Sequence, residues 1–319
     1  MLHYRSMGEV HQLILGLGED RARQEVDRPE LVDAASAVLS DDEGALGITY
    51  SGFALTALPH RRLPDDAPWE RRGHKIRLLV EPGRLPTAGG GYKLYGVPYG
   101  ARARMILLYL QTRAIQTNSR EVELGRSMHE WLDRMGLSSG GKTYKDIKEQ
   151  AARISACSLI FARDGENGNG VAWERDSIVK GGISFATGGS TEGARQSSLW
   201  EDRVLLSERF FEELRAHPVP LAEAALRAIN NNSASIDIYI WLAYRLWSLG
   251  KPTQVTWQAL HDQFGAGYAR LRDFRKRFCD ALDLALAVYP EAKVSVDEVG
   301  VMLNPSRPPV SERKIYKIQ

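Results

Sequence analysis

Between residues 101 and 303 the chain writes one run of elements twice, and that repetition narrows the folds open to it more than any other feature. Helical apolar spacing over 101–115, with Ile106, Leu107, Leu110 and Ala114 along one side, precedes a short alternating strand at 120–124. A helix over 127–135 follows, entered through Ser127 with Glu130 three residues on, the spacing of a capping box. After a turn, 142–156 reads as a third helix, and 159–163 with 171–174 as a hairpin around the Gly/Asn-rich loop 165–170. The second copy begins with an apolar helix at 236–249, carrying Ile238, Ile240, Trp241, Leu242 and Leu246. It continues with a strand at 253–257, a helix at 258–264 ending at Gly265, a long helix at 268–288 and a hairpin at 292–303 bent at Gly300. Letters echo as well: Val122 answers Val255, Leu124 answers Trp257, and His129 answers His261 with one gap. Helix, strand, helix, turn, helix, hairpin is the element order of a winged helix. A period of about 130 residues means duplicated domains rather than a solenoid.

The fold class expected is therefore α+β and helix-rich, with two tandem winged-helix domains over 46–185 and 199–305. A chain of 319 residues, 43% hydrophobic and 26% charged, has the length and composition for two such cores. The Gly/Ser/Thr-rich stretch 186–198 reads as a linker, and 306–319 as a basic tail with Arg313, Lys314 and Lys317. Residues 1–45 form a β-leaning N-terminal extension in this reading, although 29–39 has helical spacing. A strand bent at Gly52 is expected over 46–58, a loop over 59–73 and a strand over 75–80. A strand at 199–205 and a helix at 207–216, closed by Pro218 and Pro220, complete the assignment.

Several chemistries are excluded early. Two cysteines, Cys157 and Cys279, fit a reducing compartment and cannot build a Cys-based zinc site. Both read as small buried hydrophobes. The seven histidines are scattered without metal-ligand spacing, so a metal-dependent nicking enzyme has no H-x-H pair to work with. No Ser/His/Asp or paired-carboxylate context suggests catalysis, and no cofactor is expected. No apolar run is long enough for a signal or a membrane span, so a soluble cytoplasmic protein is expected. The net charge of +2 excludes a polybasic chain but leaves local basic faces open.

Residues 136–143, from Gly136 to Lys142 and Thr143, match G-x-x-x-x-G-K-[ST] letter for letter. A P-loop needs a buried strand immediately before it, whereas M-H-E-W-L-D-R-M (128–135) is an amphipathic helix, and no Walker B strand follows. The rival reading is a Gly-rich turn opening a helix that faces a DNA backbone phosphate. On that helix Tyr144, Ile147, Ala151 and Ile154 form the buried face. Lys142, Lys145 and Arg153 lie opposite, with Lys148 flanking and Asp146 and Glu149 among them. In the second copy Leu271, Phe274 and Phe278 face inward, and Arg270, Arg272, Arg275, Lys276 and Arg277 oppose one Asp. One basic helix is an ordinary solvated face; basic helices at the same place in both copies point to recognition helices in the major groove. Asn167 and Asn169 at the first hairpin tip are candidate wing contacts, though both are also turn-formers. His129 and His261 read as packed or solvated, and Trp241, Trp247 and Trp257 as core.

V-P-Y-G-A-R-A-R-M-I-L-L-Y-L-Q-T-R-A-I (97–115), R-E-V-E-L-G-R-S-M-H-E-W-L-D-R-M-G-L (120–137), G-G-K-T-Y-K-D-I (140–147) and A-R-I-S-A-C (152–157) resemble the plasmid-encoded RepA replication initiators of bacteria. L-P-H-R-R-L-P (58–64) and L-L-V-E-P-G-R-L (78–85) are similar to that family too. The resemblance places G-G-K-T-Y inside a DNA-binding domain. It implies double-stranded DNA with repeated origin sites (iterons) as the partner, joined by the host replication initiator and helicase machinery. A homodimer that represses its own gene is implied as a further state. A winged-helix repressor without initiator activity is the main alternative; a P-loop ATPase using 136–143 is the other.

Overall fold

The computed structural model describes residues 8–42, 44–73, 76–87, 90–124, 132–133, 136–137, 140–164, 171–180 and 203–310. Three short helices come first: α1 (Gly8–Leu17), α2 (Glu19–Glu25) and α3 (Pro29–Leu39), the last entered through a proline whose fixed φ suits a first helical turn. β1 (Leu46–Tyr50) runs into the one-turn helix α4 (Ser51–Leu55). β2 (Trp69–Gly73), β3 (Ile76–Glu81) and a ribbon of β4 (Gly83–Pro86) and β5 (Tyr92–Tyr95) precede α5 (Gly100–Thr117). Next are β6 (Glu121–Glu123), α6 (Gly141–Ala156), and the hairpin β7 (Ser158–Asp164) and β8 (Val171–Asp176). β9 (Arg203–Leu205), α7 (Glu208–Ala216), β10 (Pro218–Ala222), α8 (Glu223–Ala228) and α9 (Ser233–Ser248) follow. β11 (Thr253–Thr256), α10 (Trp257–Phe264), α11 (Leu271–Ala287), β12 (Lys293–Val296) and β13 (Gly300–Asn304) close the described chain. The architecture is mixed α+β, helix-rich, with small antiparallel sheets.

Contacts divide the chain into two units. One holds Leu58–Arg71 and Lys75–Ala216; the other holds Met1–Ala57, Arg72–His74 and His217–Gln319. The first is built around α5, where six consecutive residues from Met105 to Leu110 are buried. A helix apolar on every side belongs at the centre of a core, not on its surface. α5 ends at Asn118 in the left-handed region (φ 48), which Asn tolerates better than other side chains. β7 pairs with both β3 and β8 in a four-stranded sheet of order β2-β3-β7-β8, while β6 pairs with β9.

The second unit has α9 at its core. α9 is buried from Ser235 to Ala243, and Asn232 caps it by accepting from the Ser235 N–H at 3.1 Å. α9 packs on α11, and β11, β13 and β12 form one antiparallel sheet. β1 pairs with β10 along its whole length, Leu46 opposite Ala222 and Tyr50 opposite Pro218.

Two expectations are corrected. The N-terminal extension is helical over most of its described length rather than β-leaning. Helices this short are marginal alone, and tertiary contacts hold them: His11 Nε2 lies 2.9 Å from Ala287 O, and Arg28 reaches Asp283 at 3.2 Å and the Asp280 carbonyl. Gly52 bends no strand but sits inside α4, whose first N–H, that of Ser51, donates to His217 O. Strand pairing joins segments far apart in sequence: Leu46–Tyr50 joins Pro218–Ala222, and Arg203–Leu205 joins Glu121–Glu123. The 186–198 linker, most of the 127–135 helix and Arg313, Lys314 and Lys317 of the 306–319 tail lie outside the described residues.

Candidate nucleic-acid interface

In the first unit α6 turns Ile147, Gln150, Ala151, Arg153 and Ile154 inward. Lys142 and Lys145 are exposed, Thr143 is half-buried, and Lys148 is half-buried with Nζ 4.5 Å from the centre of the Tyr144 ring. Arg153 does not belong to this surface. Its side chain is 2% exposed, 2.7 Å from Asp65 and 2.9 Å from Glu149, and it donates to Val97 O at 3.2 Å. Its guanidinium also stacks 5.2 Å from the Tyr99 ring centre. A cation placed opposite the apolar face by helical spacing is thus drawn inward by carboxylate and carbonyl partners. The hydrogen bond from Arg153 holds the Asp65 carboxyl below its ordinary value, and Arg62 adds to the effect. Glu149 is engaged as well, with Arg62 at 3.5 Å on its other side. Sequence reasoning missed this cluster. The Glu149–Arg153 spacing of one helical turn was the available signal, whereas Asp65 is 88 residues from Arg153.

The Gly-rich stretch before α6 is not preceded by a strand at the place a P-loop needs one. Leu132 and Asp133 are helical; Leu137 N–H donates to Leu132 O at 2.8 Å and Gly136 N–H to Asp133 O at 2.9 Å, with Gly136 at φ 64. That paired closure is a Schellman helix end, with glycine in the left-handed position. Gly136 therefore ends one helix, and Gly140 and Gly141 start the next.

In the second unit Thr256 Oγ1 caps α10 by accepting from Ala259 N–H at 3.2 Å, and Gly265 ends it. The turn to α11 is held by His261, whose Nε2 lies 3.0 Å from Tyr268 O and whose ring meets Phe274 edge-on at 5.2 Å. Phe274 and Phe278 anchor α11 to Trp257, Phe264 and Tyr268. Arg270, Arg272, Lys276 and Arg277 are exposed, Arg272 with 86% of its side chain open. Arg275 is half-buried, stacked 4.7 Å from the Trp257 ring centre. Leu271, expected on the inner face, is exposed because it is the first residue of the helix, a turn short of the aromatic cluster. Trp247, expected in the core, is 43% exposed in the last turn of α9, while Trp241 and Trp257 are buried as expected. The β12–β13 tip carries Asp297 and Glu298, so that tip adds no cation to the surface. Asn167 and Asn169 lie outside the described residues.

Cys157 is buried, and desolvation pushes its thiol up to about 12, which makes it an inert packing group. Among the described residues, no cluster of His, Cys, Asp and Glu could hold a metal, and no helix is long and apolar enough to cross a membrane.

A family model described as plasmid encoded RepA protein matches residues 97–259, just over half of the chain. The chain belongs to that family. The RepA match spans α5, α6 and the β7–β8 hairpin, and runs on through α9 into α10. A search of curated proteins found no match. Among solved structures, this RepA-family chain resembles domains 2 and 3 of RctB with a TM-score of 0.53 at 15% identity, covering 82% of this chain and 99% of that one. A second RctB structure, residues 155–483, gives 0.47 at 15% identity over 78% and 93%. The first of these likenesses is one of fold.

Proposed function

We propose that this RepA-family chain is a plasmid replication initiator that binds repeated origin sites in double-stranded DNA through two winged-helix-like units. The observation that carries the reading is α11, which buries Phe274 and Phe278 and leaves Arg272, Lys276 and Arg277 open along its first two turns, with Arg270 open just before its first residue. α6 supports it with Lys142 and Lys145 exposed at the end that the Gly-rich turn opens. There the first N–H groups of the helix lack intrahelical acceptors and favour a phosphate. Arginine on such a helix reads guanine O6 and N7, and lysine meets phosphate. Two helices on one chain raise the effective concentration of each for a repeated site. In this reading the protein works in the bacterial cytoplasm with the host initiator and helicase machinery, and a homodimer represses its own gene.

The test is binding to DNA from around its own gene across a salt series, with and without ATP. Arg272→Ala and Lys276→Ala should each weaken binding and lower the salt slope by about one unit per lost phosphate contact. Unchanged binding in both variants removes α11 from the interface. Binding confined to a promoter without repeats, and no support of plasmid replication, would favour a repressor.

A further inference from the structure

From Pro82 to Arg120 the chain carries six cations and no carboxylate. Four of the six are accounted for elsewhere. Arg104 is buried on the carbonyls of Leu58, Pro59 and Gly100; Arg102 sits by Asp146; Arg113 bonds Gln116; and Arg120 lies 3.8 Å from Glu208. The remaining two, Arg84 and Lys93, are exposed on the β4–β5 ribbon, and among the described residues neither has a carboxylate partner. Lys93 Nζ instead rests 4.8 Å from the Tyr95 ring centre. The register pairs Arg84 with Leu94 and Pro86 with Tyr92, so Arg84, Pro86, Tyr92 and Leu94 share one face. Tyr92 is 71% exposed, at the tip end of its strand. The turn is closed by Thr87 Oγ1 donating to Gly90 O at 2.7 Å, with Gly90 and Gly91 at φ 82 and 80. Nothing lies near either glycine, so backbone conformation rather than packing requires them.

The foot of the ribbon, by contrast, is seated against α6. A Cβ on Gly83 would lie 1.7 Å from Ala156 O, and one on Gly96 would lie 2.7 Å from Arg153 Nη1. The sequence thus keeps glycine where the ribbon meets the C-terminal end of α6, sets Arg84 next to that foot, and places Lys93, on the opposite face, and the open Tyr92 further along the ribbon. A two-stranded ribbon is narrow enough to follow a DNA groove.

We propose that β4–β5 is a second DNA-contacting arm of this unit, with Arg84 and Lys93 on backbone phosphates and Tyr92 against the sugar edge of the duplex that α6 engages. The assignment rests on the DNA-binding reading above and adds a contact at the end of α6 opposite Lys142.

The test uses the full chain, an Arg84→Ala/Lys93→Ala double variant and Tyr92→Ala, with two probes: the duplex upstream of its own gene and an unrelated duplex of equal length. Affinity is followed between about 50 and 200 mM salt, where each lost phosphate contact lowers the slope by roughly 0.9. The double variant should lose close to two such units on both probes, and hydroxyl-radical protection should recede at one edge of the site while its centre persists. Melting temperatures should stay at the parent value. A parent that binds while both variants keep its affinity, slope and footprint overturns the arm. A parent that binds neither duplex at low salt overturns the DNA-binding reading, and the arm with it.

Discussion

The Arg153 guanidinium lies 2.7 Å from Asp65 Oδ1, and this ion pair ties the last turn of α6 to a loop 88 residues away in sequence. The same guanidinium holds Glu149 and the Val97 carbonyl, so one side chain joins three segments of its unit. Arg153→Ala should therefore destabilise the unit by about 3 kcal/mol, because it leaves carboxylates and a carbonyl without their buried partner. Arg153→Lys should recover only part of this, since an ammonium lacks the planar fork that reaches all three acceptors. Urea unfolding reads both. An Arg153→Ala chain as stable as its parent would return Arg153 to the DNA-facing cations.

Acid should weaken the same junction. Asp65 is held below its ordinary carboxylate value of 3.8, first by the Arg153 hydrogen bond. A carboxyl with a depressed folded-state pKa contributes stability that is complete above its unfolded value and lost as pH falls through the folded one. Melting temperature should accordingly drop below about pH 4. Asp65→Asn should melt lower than the parent at neutral pH and show a shallower acid decline. Parallel acid profiles for the two would remove Asp65 from the transition.

Two glycines should resist even alanine. The Cβ of Gly300→Ala would lie 2.0 Å from Val255 O and split β13 from β11, while that of Gly83→Ala would meet Ala156 O. Each should cost about 1–3 kcal/mol through forced backbone shifts. Gly90→Ala meets no atom but must adopt φ 82, so its cost is conformational and smaller than theirs. Denaturant midpoints for the three variants give the order directly.

Nucleotide should be irrelevant to the Gly-rich turn. Gly136 closes a helix rather than a strand, so the strand that a P-loop needs immediately before its first glycine is missing at Leu132 and Asp133. ATP with Mg²⁺ should leave both the melting temperature and DNA affinity unchanged, and Lys142→Ala should alter DNA affinity alone. Saturable ATP binding lost in Lys142→Ala would reverse the assignment.

What the sequence determined by itself is local. Apolar spacing and punctuation located the later elements within a few residues: α9, β11, α10 and α11 end where Gly250, Trp257, Gly265 and the 289–292 turn say they should. The cationic positions of α11 also follow from spacing, since Phe274 and Phe278 leave Arg272 and Lys276 outward on a helix of 3.6 residues per turn.

Only the tertiary structure decided what depends on partners far along the chain. It placed Arg153 inside, because Asp65 and Val97 reach it there, and it made helices of residues 8–25, because α11 offers His11 and Arg28 their acceptors. It paired Leu46–Tyr50 with Pro218–Ala222 and Arg203–Leu205 with Glu121–Glu123, since a strand belongs where its hydrogen bonds are satisfied. Helical periodicity is written within one turn of chain, but the burial of a charge and the pairing of a strand edge are settled by groups that only folding brings together.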